Sequence, residues 1–271
     1  MAFLAHFLAK SEKGCTLGRE VCYNIRQQRP KGCPRACLGA FFCTMSSSSH
    51  RRITEDAVGK RKVRTWFYID GFNVYHRIKE HHERGGKNYR WLDYHKLLCQ
   101  FLKDEHCLAG ITFFTAHYRK WGEGRAARHN AFLDALRQTD IGIVSGYFAK
   151  TEGGYEEKQT DVNIALAMVM DAVDDKYDRC WLLSADNDFA PVLSAIRHKF
   201  HKQAGLIIPP LMPFRRRLQV DALKNAVTTL GTGKPLLLRL KFARHFAGCS
   251  LPETIKGERE PIVMPPQYDT F

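Results

Sequence analysis

From Thr65 onward, short and almost wholly apolar runs alternate with longer stretches whose apolar residues recur at helical spacing. This alternation predicts repeated strand-helix-strand units around a parallel sheet. Strands without polar positions are typical of a sheet covered by helices on both faces. We therefore predict one α/β domain. The predicted strands are 66–70, 111–118, 141–149, 180–185 and 204–210, the predicted helices are 91–104, 125–139, 160–173 and 188–200, and 150–159 is predicted to be a polar loop.

The length and charge pattern of the chain predict three regions. Its 271 residues suit one substantial core with extensions. We expect a basic, cysteine-containing and weakly ordered leader (1–64), a folded domain (65–230) and a basic C-terminal extension (231–271).

The net charge of +14 comes from the flanks of the folded domain. Residues 1–64 hold 13 basic and 4 acidic residues, those after 214 hold 10 and 5, and 65–214 are neutral overall. Basic flanks would attract a polyanion such as RNA, although a solvated leader explains much of this charge equally well.

The composition argues against a membrane protein. No window of the chain approaches the roughly 18 to 20 apolar residues that span a bilayer. The nine cysteines form no evident disulfide framework, so we expect a reducing, cytoplasmic location. The CxxxC pair Cys33 and Cys37 is a weak zinc signal.

The first predicted strand ends in the sequence Asp70-Gly71-Phe72-Asn73. In open α/β sheets, ligands bind outside the carboxyl ends of strands, which is where Asp70 stands. Gly71 permits a sharp turn, and the amide of Asn73 can orient a carboxylate or a water. A turn or a helix cap explains the same residues without a site.

Three more acids stand at element boundaries. Asp188 occupies a predicted helix N-cap after the fourth strand, whereas capping does not explain Asp186, two residues after Ser184. Asp161 opens the most apolar helix, with Thr160 as its predicted cap. Several carboxylates at one sheet edge repel each other unless a cation is present. An all-oxygen cluster of this kind suits Mg²⁺ or Mn²⁺ rather than zinc.

Three motifs occur in a fixed order along the chain: YIDGFNVY, KQTDVNIALAMVMDA and LLSADNDFAPVL. In this order they resemble the NYN family of PIN-like ribonucleases over roughly residues 65–230. The resemblance implies an α/β fold, a PIN-like three-layer α/β/α sandwich with a mainly parallel central sheet. It also implies four catalytic and metal-binding acids: Asp70, Asp161, Asp186 and Asp188.

The same resemblance suggests supporting residues. Asn73 matches a polar position that orients Asp70 or a water, and Ser184 matches a small polar residue that supports the last acids. Ala185 and Asn187 depart from the Gly-rich form of the last motif, but both are small enough for a tight turn.

Basic residues near the predicted strand ends are candidates for RNA contacts. Two basic runs, 197–202 and 214–218, flank the last predicted strand and would form a basic rim near the acids, although a solvated helix face explains them as well. Trp121 follows two cations and is a candidate for stacking an unpaired base. The candidate substrate-binding residues are Lys158, Arg119, Lys120, Arg215 and Arg216.

The leading hypothesis is a divalent-metal-dependent endoribonuclease acting on single-stranded or loop RNA, with homo-oligomerisation possible and any protein partner unknown. A second hypothesis keeps the fold without catalysis, as an RNA-binding or protein-interaction module. A third, a phosphatase with Asp70 as nucleophile, ranks last because the DxDxT-like arrangement expected for that chemistry is missing.

Overall fold

The computed structural model describes residues 61–117, 123–151, 154–210 and 220–269, without the side chains of 117, 123, 147–151 and 154–158. All of them belong to the unit Cys43–Phe271. The main sheet contains β1 (Val63–Asp70), β2 (His106–His117), β3 (Gly142–Thr151), β4 (Gly154–Lys158), β5 (Arg179–Leu183), β6 (Gln203–Ile208) and β7 (Leu237–Arg239). The α-helices are α1 (Gly71–Glu83), α2 (Tyr94–Cys99), α3 (Glu123–Arg137), α4 (Thr160–Val173), α5 (Ala190–His198) and α6 (Asp221–Ala226). None of the helices in these ranges is long and apolar enough to cross a membrane.

The seven strands are ordered β4-β3-β2-β1-β5-β6-β7. All neighbouring pairs are parallel except β3 and β4, which form an antiparallel hairpin at one edge. Because β1 lies at the centre and the chain crosses to β5 on its other side, the carboxyl ends of β1, β2 and β5 lie next to one another. A switch in winding direction of this kind is where doubly wound sheets form their sites.

Two hydrophobic cores lie on opposite faces of the sheet, as the alternation of buried side chains along β1 illustrates. Phe67 and Ile69 belong to a core shared with α1, α2 and α3. Tyr68, between them, belongs to the other core, shared with α4, α5 and α6. Successive strand side chains point to opposite faces, so the fold is a three-layer α/β/α sandwich of the PIN-like type, as predicted.

The C-terminal segment packs into the first of these cores. The Trp91 indole donates a hydrogen bond of 2.9 Å to the Pro252 carbonyl, and the Leu251 amide donates one of 3.0 Å to the Trp91 carbonyl. Phe246 and Leu251 are 1% and 3% exposed. The boundary at residue 230 stays a prediction, but the segment beyond it contributes buried side chains to the same core.

All five predicted strands are present, but several other expectations were wrong. Residues 150–159 are mostly the β3–β4 hairpin rather than a loop, because an edge strand tolerates a polar sequence such as Gly154–Lys158. Strand β7 was missed because its three residues pair only with β6, far away in the sequence. Helix α1 was also missed, since few of its residues are buried. Only Tyr94–Cys99 of the predicted helix 91–104 is α-helical, because Asp93 caps a short helix.

The run 197–202 lies at the opposite edge of the sheet from the acids, contrary to the prediction that it forms a basic rim beside them. It joins the end of α5 to the start of β6. Lys202 forms an ion pair with Asp175, and Asp175 and Asp178 precede β5. Both of these acids also pair with Arg64 near the start of β1. This run therefore stabilises the amino-terminal edge of the sheet.

Replacing Asp178 with asparagine should destabilise the protein at neutral pH by about 1–3 kcal/mol. Its carboxylate accepts hydrogen bonds from the Arg64 guanidinium at 2.9 and 3.1 Å and from the Arg64 amide at 2.9 Å. Although partial burial opposes them, these bonds lower the Asp178 pKa below its usual value. A lowered pKa in the folded state contributes stability that is complete above the unfolded pKa of about 3.9 and is lost as the pH falls through the folded pKa.

The measurement is urea unfolding between pH 7 and pH 3. Asp178→Asn should flatten the acid dependence of the unfolding free energy. The control, Asp134→Asn, removes an exposed pair with Arg137 and should change stability by less than about 0.5 kcal/mol. Equal acid dependence in the wild type and Asp178→Asn would refute the assignment.

Candidate active site

Asp70 occupies the junction between β1 and α1 at the carboxyl edge of the sheet. It is the N-cap of α1, where its Oδ1 accepts a hydrogen bond of 3.0 Å from the Asn73 amide. Its Oδ2 accepts a hydrogen bond of 2.8 Å from the Ser184 hydroxyl at the end of β5. Asp70 is 5% exposed and Ser184 is fully buried. The carboxylate is thus both a helix cap and a link between two strands.

The charge of Asp70 is disfavoured in the folded protein. Burial, the largest effect, raises the Asp70 pKa to about 6, although the hydrogen bonds from Asn73 and Ser184 oppose the shift. The charges of Asp161 and Asp186 raise it further. The Asp161 pKa is also raised, first by partial burial and then by Asp186 and Asp188. Asp161 and Asp186 therefore repel the Asp70 carboxylate, and Asp186 and Asp188 repel the Asp161 carboxylate.

The turn after β5 holds Asp186 and Asp188 through hydrogen bonds that also involve the first motif. The Ser184 hydroxyl accepts a hydrogen bond of 3.2 Å from the Asp186 amide. The Asn73 side-chain oxygen accepts one of 3.3 Å from the Ala185 amide, so Asn73 orients this turn as well as α1. Ala185 stands where the last motif often has a glycine, and the turn still forms with alanine there.

The capping roles predicted for this turn were assigned to the wrong residue. Asp186 is the N-cap of a short 3-10 helix (Asn187–Phe189), and its Oδ1 accepts a hydrogen bond of 2.9 Å from the Asp188 amide. Asp188 lies in the first turn and is exposed. Capping therefore explains Asp186 locally, whereas Asp188 is the acid without a capping function.

The predicted cap of α4 was also wrong. Gln159, with φ of 72°, occupies the N-cap position and makes no capping side-chain bond. Thr160 is instead buried, and its hydroxyl donates to the Thr115 carbonyl of β2 at 3.5 Å. This contact fixes the start of α4 against the carboxyl end of β2. Asp161 lies in the first turn of α4, as predicted, and is exposed beside the other acids.

The structure does not place the predicted substrate contacts. Lys158 is the last residue of β4, opposite Tyr147, but its side chain is not among those described. Arg119, Lys120, Arg215 and Arg216 lie outside the described residues, as do Cys33 and Cys37.

Asp70, Asp161, Asp186 and Asp188 are together called the acid group. Their chemistry fits a hard divalent cation. Four carboxylates at one edge of the sheet, whose charges repel, favour Mg²⁺ or Mn²⁺, because such a cation reverses their repulsion. Within the ranges that the structure describes, no three His, Cys, Asp or Glu side chains are close enough to form a ready metal site. The group therefore supplies suitable ligand types in an open arrangement.

A family model for the NYN domain matches residues 64–230. The chain belongs to the NYN domain family. This family is PIN-like and nuclease-like, which agrees with the three-layer fold. The match contains all four acids together with Asn73 and Ser184.

Two further proteins are similar to this NYN protein. The 6-hydroxy-3-succinoylpyridine 3-monooxygenase HspA of Pseudomonas putida is 25% identical over 253 residues, covering 76% of this chain and 75% of the relative. A solved structure of a protein of unknown function from Vibrio parahaemolyticus has a TM-score of 0.48 and 19% identity, covering 66% of this chain and 94% of that one.

A cavity of about 280 Å³ adjoins the NYN acid group and was not predicted from the sequence. We call it the aromatic–arginine cavity. Its lining combines side chains of α1, the end of β2, α3 and the C-terminal segment: Tyr75, Arg90, Tyr94, Arg125, Arg128 and Tyr268 are among them. The sequence carries one signal of this cavity. On α3, Arg125, Arg128 and Phe132 are spaced so that they share one helical face.

Proposed function

We propose that this NYN domain is a divalent-metal-dependent endoribonuclease that hydrolyses RNA at its acid group. The observation that carries the proposal is Asp70, a buried carboxylate with a raised pKa, held by the Ser184 hydroxyl and approached by the charges of Asp161 and Asp186. Carboxylates that repel one another at a strand-end site are stabilised when a cation binds among them. Membership of a nuclease-like family supports the same conclusion.

Each acid has a distinct role in this proposal. Asp70 cannot reorient freely because both of its oxygens accept hydrogen bonds, so it is the fixed ligand. Asp161 and Asp186 complete the negative site together with Asp188, and Asp161 and Asp188 are exposed to solvent. A bound Mg²⁺ or Mn²⁺ supplies water activation and neutralises charge on the phosphate. In the reaction, the water oxygen bonds to phosphorus, the bond to the leaving sugar oxygen breaks, and solvent takes up and returns the protons.

The test is hydrolysis of labelled single-stranded RNA with Mn²⁺ or Mg²⁺. Asp186→Asn should lower the rate by about 100-fold or more, a larger loss than the roughly 10- to 100-fold typical of residues that only support ligands. Asparagine is also a good N-cap, so the turn should persist. The control is Asp174→Asn, at the opposite end of α4 from Asp161, which should leave the rate unchanged.

Equal cleavage by the wild type and Asp186→Asn would reject the nuclease assignment. RNA binding that is independent of metal and of all four acids, with no cleavage, would instead identify a catalytically silent binding module. A metal-dependent change in RNA affinity without hydrolysis would also reject catalysis.

A second candidate function follows from the relative HspA and the aromatic–arginine cavity. Aromatic and guanidinium side chains suit a small aromatic acid, and the name of HspA describes oxygenation of a substituted pyridine. A monooxygenase transfers one atom of dioxygen to its substrate and reduces the other to water with two electrons from a reduced nicotinamide or flavin. It ranks second because it gives the acid group no role. Oxygen uptake that requires both NADH and an aromatic acid would favour it.

A further inference from the structure

The aromatic–arginine cavity lies directly beside the proposed catalytic acids. Gly71, which follows Asp70, contributes to its wall, as does Thr115 at the end of β2. Tyr94 also lines it, and burial together with the Asp70 charge raises the Tyr94 pKa. The cavity and the carboxylates therefore share a wall formed by the β1–α1 junction and the end of β2.

The cavity carries positive charge. Three arginines line it, Arg90, Arg125 and Arg128, and no Asp or Glu is among its described lining residues. Within the described ranges, neither Arg90 nor Arg128 forms an ion pair, and the Nε atom of Arg90 is buried without a hydrogen-bond partner. Buried polar groups are normally satisfied. An anion in the cavity would supply an acceptor for the Arg90 Nε atom.

The cavity also has an aromatic side. Phe132 packs edge-on against Phe113 with ring centroids 6.1 Å apart, and it lies 6.4 Å from the Tyr94 ring. Tyr268, from the C-terminal segment, completes the lining across from α3. Its 3-10 helix is anchored by a hydrogen bond of 2.9 Å from the Asn88 side chain to the Gln267 carbonyl. Aromatic faces of this kind bind planar rings by stacking.

The three arginines converge on the same region as the aromatic side. All three line the cavity together with Tyr268. Burial, the largest effect, and Tyr75 raise the Tyr268 pKa, and the charges of Arg128, Arg90 and Arg125 oppose the rise. The volume of about 280 Å³ is at the small end of ligand pockets, which begin at roughly 300 Å³. A ligand must therefore be small, and the two sides of the cavity suit one planar base that carries an anionic group.

We propose that the aromatic–arginine cavity is the subsite for one unpaired nucleotide of the RNA, next to the phosphodiester that is cut. This inference rests on the proposed nuclease function and adds its substrate geometry. The base lies against Phe132 and Tyr268, and its phosphate accepts hydrogen bonds from Arg90 and Arg128. A base in a duplex cannot enter, so the subsite selects single-stranded or loop RNA.

The experiment measures binding in EDTA, so that no cleavage occurs. Uridine and adenosine 5′-monophosphate are titrated into the full chain by calorimetry, with inorganic phosphate, uridine and benzoate as separate ligands. Both nucleotides should bind more tightly than phosphate, uridine or benzoate, because only they fill both sides of the cavity. Arg128→Gln should weaken nucleotide binding by about 10-fold or more, since it removes charged hydrogen bonds.

The matched control is Arg137→Gln, on the same helix. Arg137 is exposed and pairs with Asp134, so its loss should leave binding unchanged. Tyr268→Leu is a second cavity variant, near the end of the described chain, and should weaken the nucleotides more than phosphate. Circular dichroism of each variant verifies folding.

Unchanged nucleotide affinity in both Arg128→Gln and Tyr268→Leu would overturn the inference. Tighter binding of benzoate than of either nucleotide would also overturn it and would assign the cavity to a small aromatic acid. Equal affinity for phosphate and the nucleotides would reduce it to an anion site. Binding is measured without metal, so it is tested separately from RNA cleavage. If the nucleotides bind but RNA is not cleaved when metal is added, only the nuclease function is rejected. If RNA is cleaved but the nucleotides do not bind, only the subsite is rejected.

Discussion

Replacing Asp70 with asparagine should abolish metal-dependent RNA cleavage and, in the metal-free protein, increase the free energy of unfolding. Cleavage should fall by about 100-fold or more, because a fixed charged ligand is lost. Stability should rise by about 1–3 kcal/mol, because the substitution removes a buried charge that Asp161 and Asp186 repel. The asparagine oxygen still accepts a hydrogen bond from the Asn73 amide or the Ser184 hydroxyl.

Added metal should affect the melting temperatures of the wild type and Asp70→Asn differently. Mn²⁺ bound at the proposed site should raise the melting temperature of the wild type, by linkage between binding and folding. Asp70→Asn should lose most of that increase. The measurements are thermal unfolding with EDTA and with Mn²⁺, together with the RNA cleavage rate.

Ser184→Ala is the informative contrast. It keeps the Asp70 charge but removes the hydroxyl that donates to it at 2.8 Å. Cleavage should fall by about 10- to 100-fold, and stability should also fall, because a buried carboxylate loses a donor. Equal cleavage by Asp70→Asn and the wild type would contradict the proposed site. If Asp70→Asn lowered the free energy of unfolding as much as Ser184→Ala, the proposed repulsion of the Asp70 charge would be contradicted.

Gly71→Ala should destabilise the protein by about 2–4 kcal/mol and reduce cleavage by 10-fold or more. A Cβ at this position would lie 2.5 Å from the Phe114 carbonyl oxygen and 2.5 Å from the Phe113 ring. The ring can shift, but the carbonyl belongs to the sheet backbone. The start of α1 must therefore move away from β2 and carry the Asp70 carboxylate with it.

The control for this substitution is Gly142→Ala in β3. A Cβ there would meet the Ile111 carbonyl oxygen at 3.6 Å, which is ordinary contact. That variant should stay within about 1 kcal/mol of the wild type, since alanine costs less backbone entropy than glycine in a strand. Urea unfolding measures both variants. A Gly71→Ala protein as stable as Gly142→Ala would refute the close approach of α1 to β2.

The acids could be selected from the sequence because their positions follow from simple rules. The apolar runs predict parallel strands, and residues that follow parallel strands share one edge of the sheet. Asp70 and Asp186 follow two such strands, which are neighbours in the structure. The capping roles were misjudged, because the local sequence does not reveal whether Asp186 or Asp188 turns its side chain back to the helix amides.

Elements held by distant partners were harder to predict. Strand β7 has three residues and is a strand only because β6 offers it hydrogen bonds. Residues 197–202 are basic in the sequence, yet the direction of β6 places them at the edge opposite the acids. One of them, Lys202, pairs with Asp175.

The sequence by itself determined the α/β class and the five central strands and selected four candidate acids, because apolar periodicity and position at an element boundary are local properties. Only the tertiary structure decided that Ser184 holds Asp70, that the C-terminal segment enters the first core, and that Arg90, Arg128 and Tyr268 meet in one cavity. These residues are far apart in the chain, and their contacts depend on how helices pack on a finished sheet.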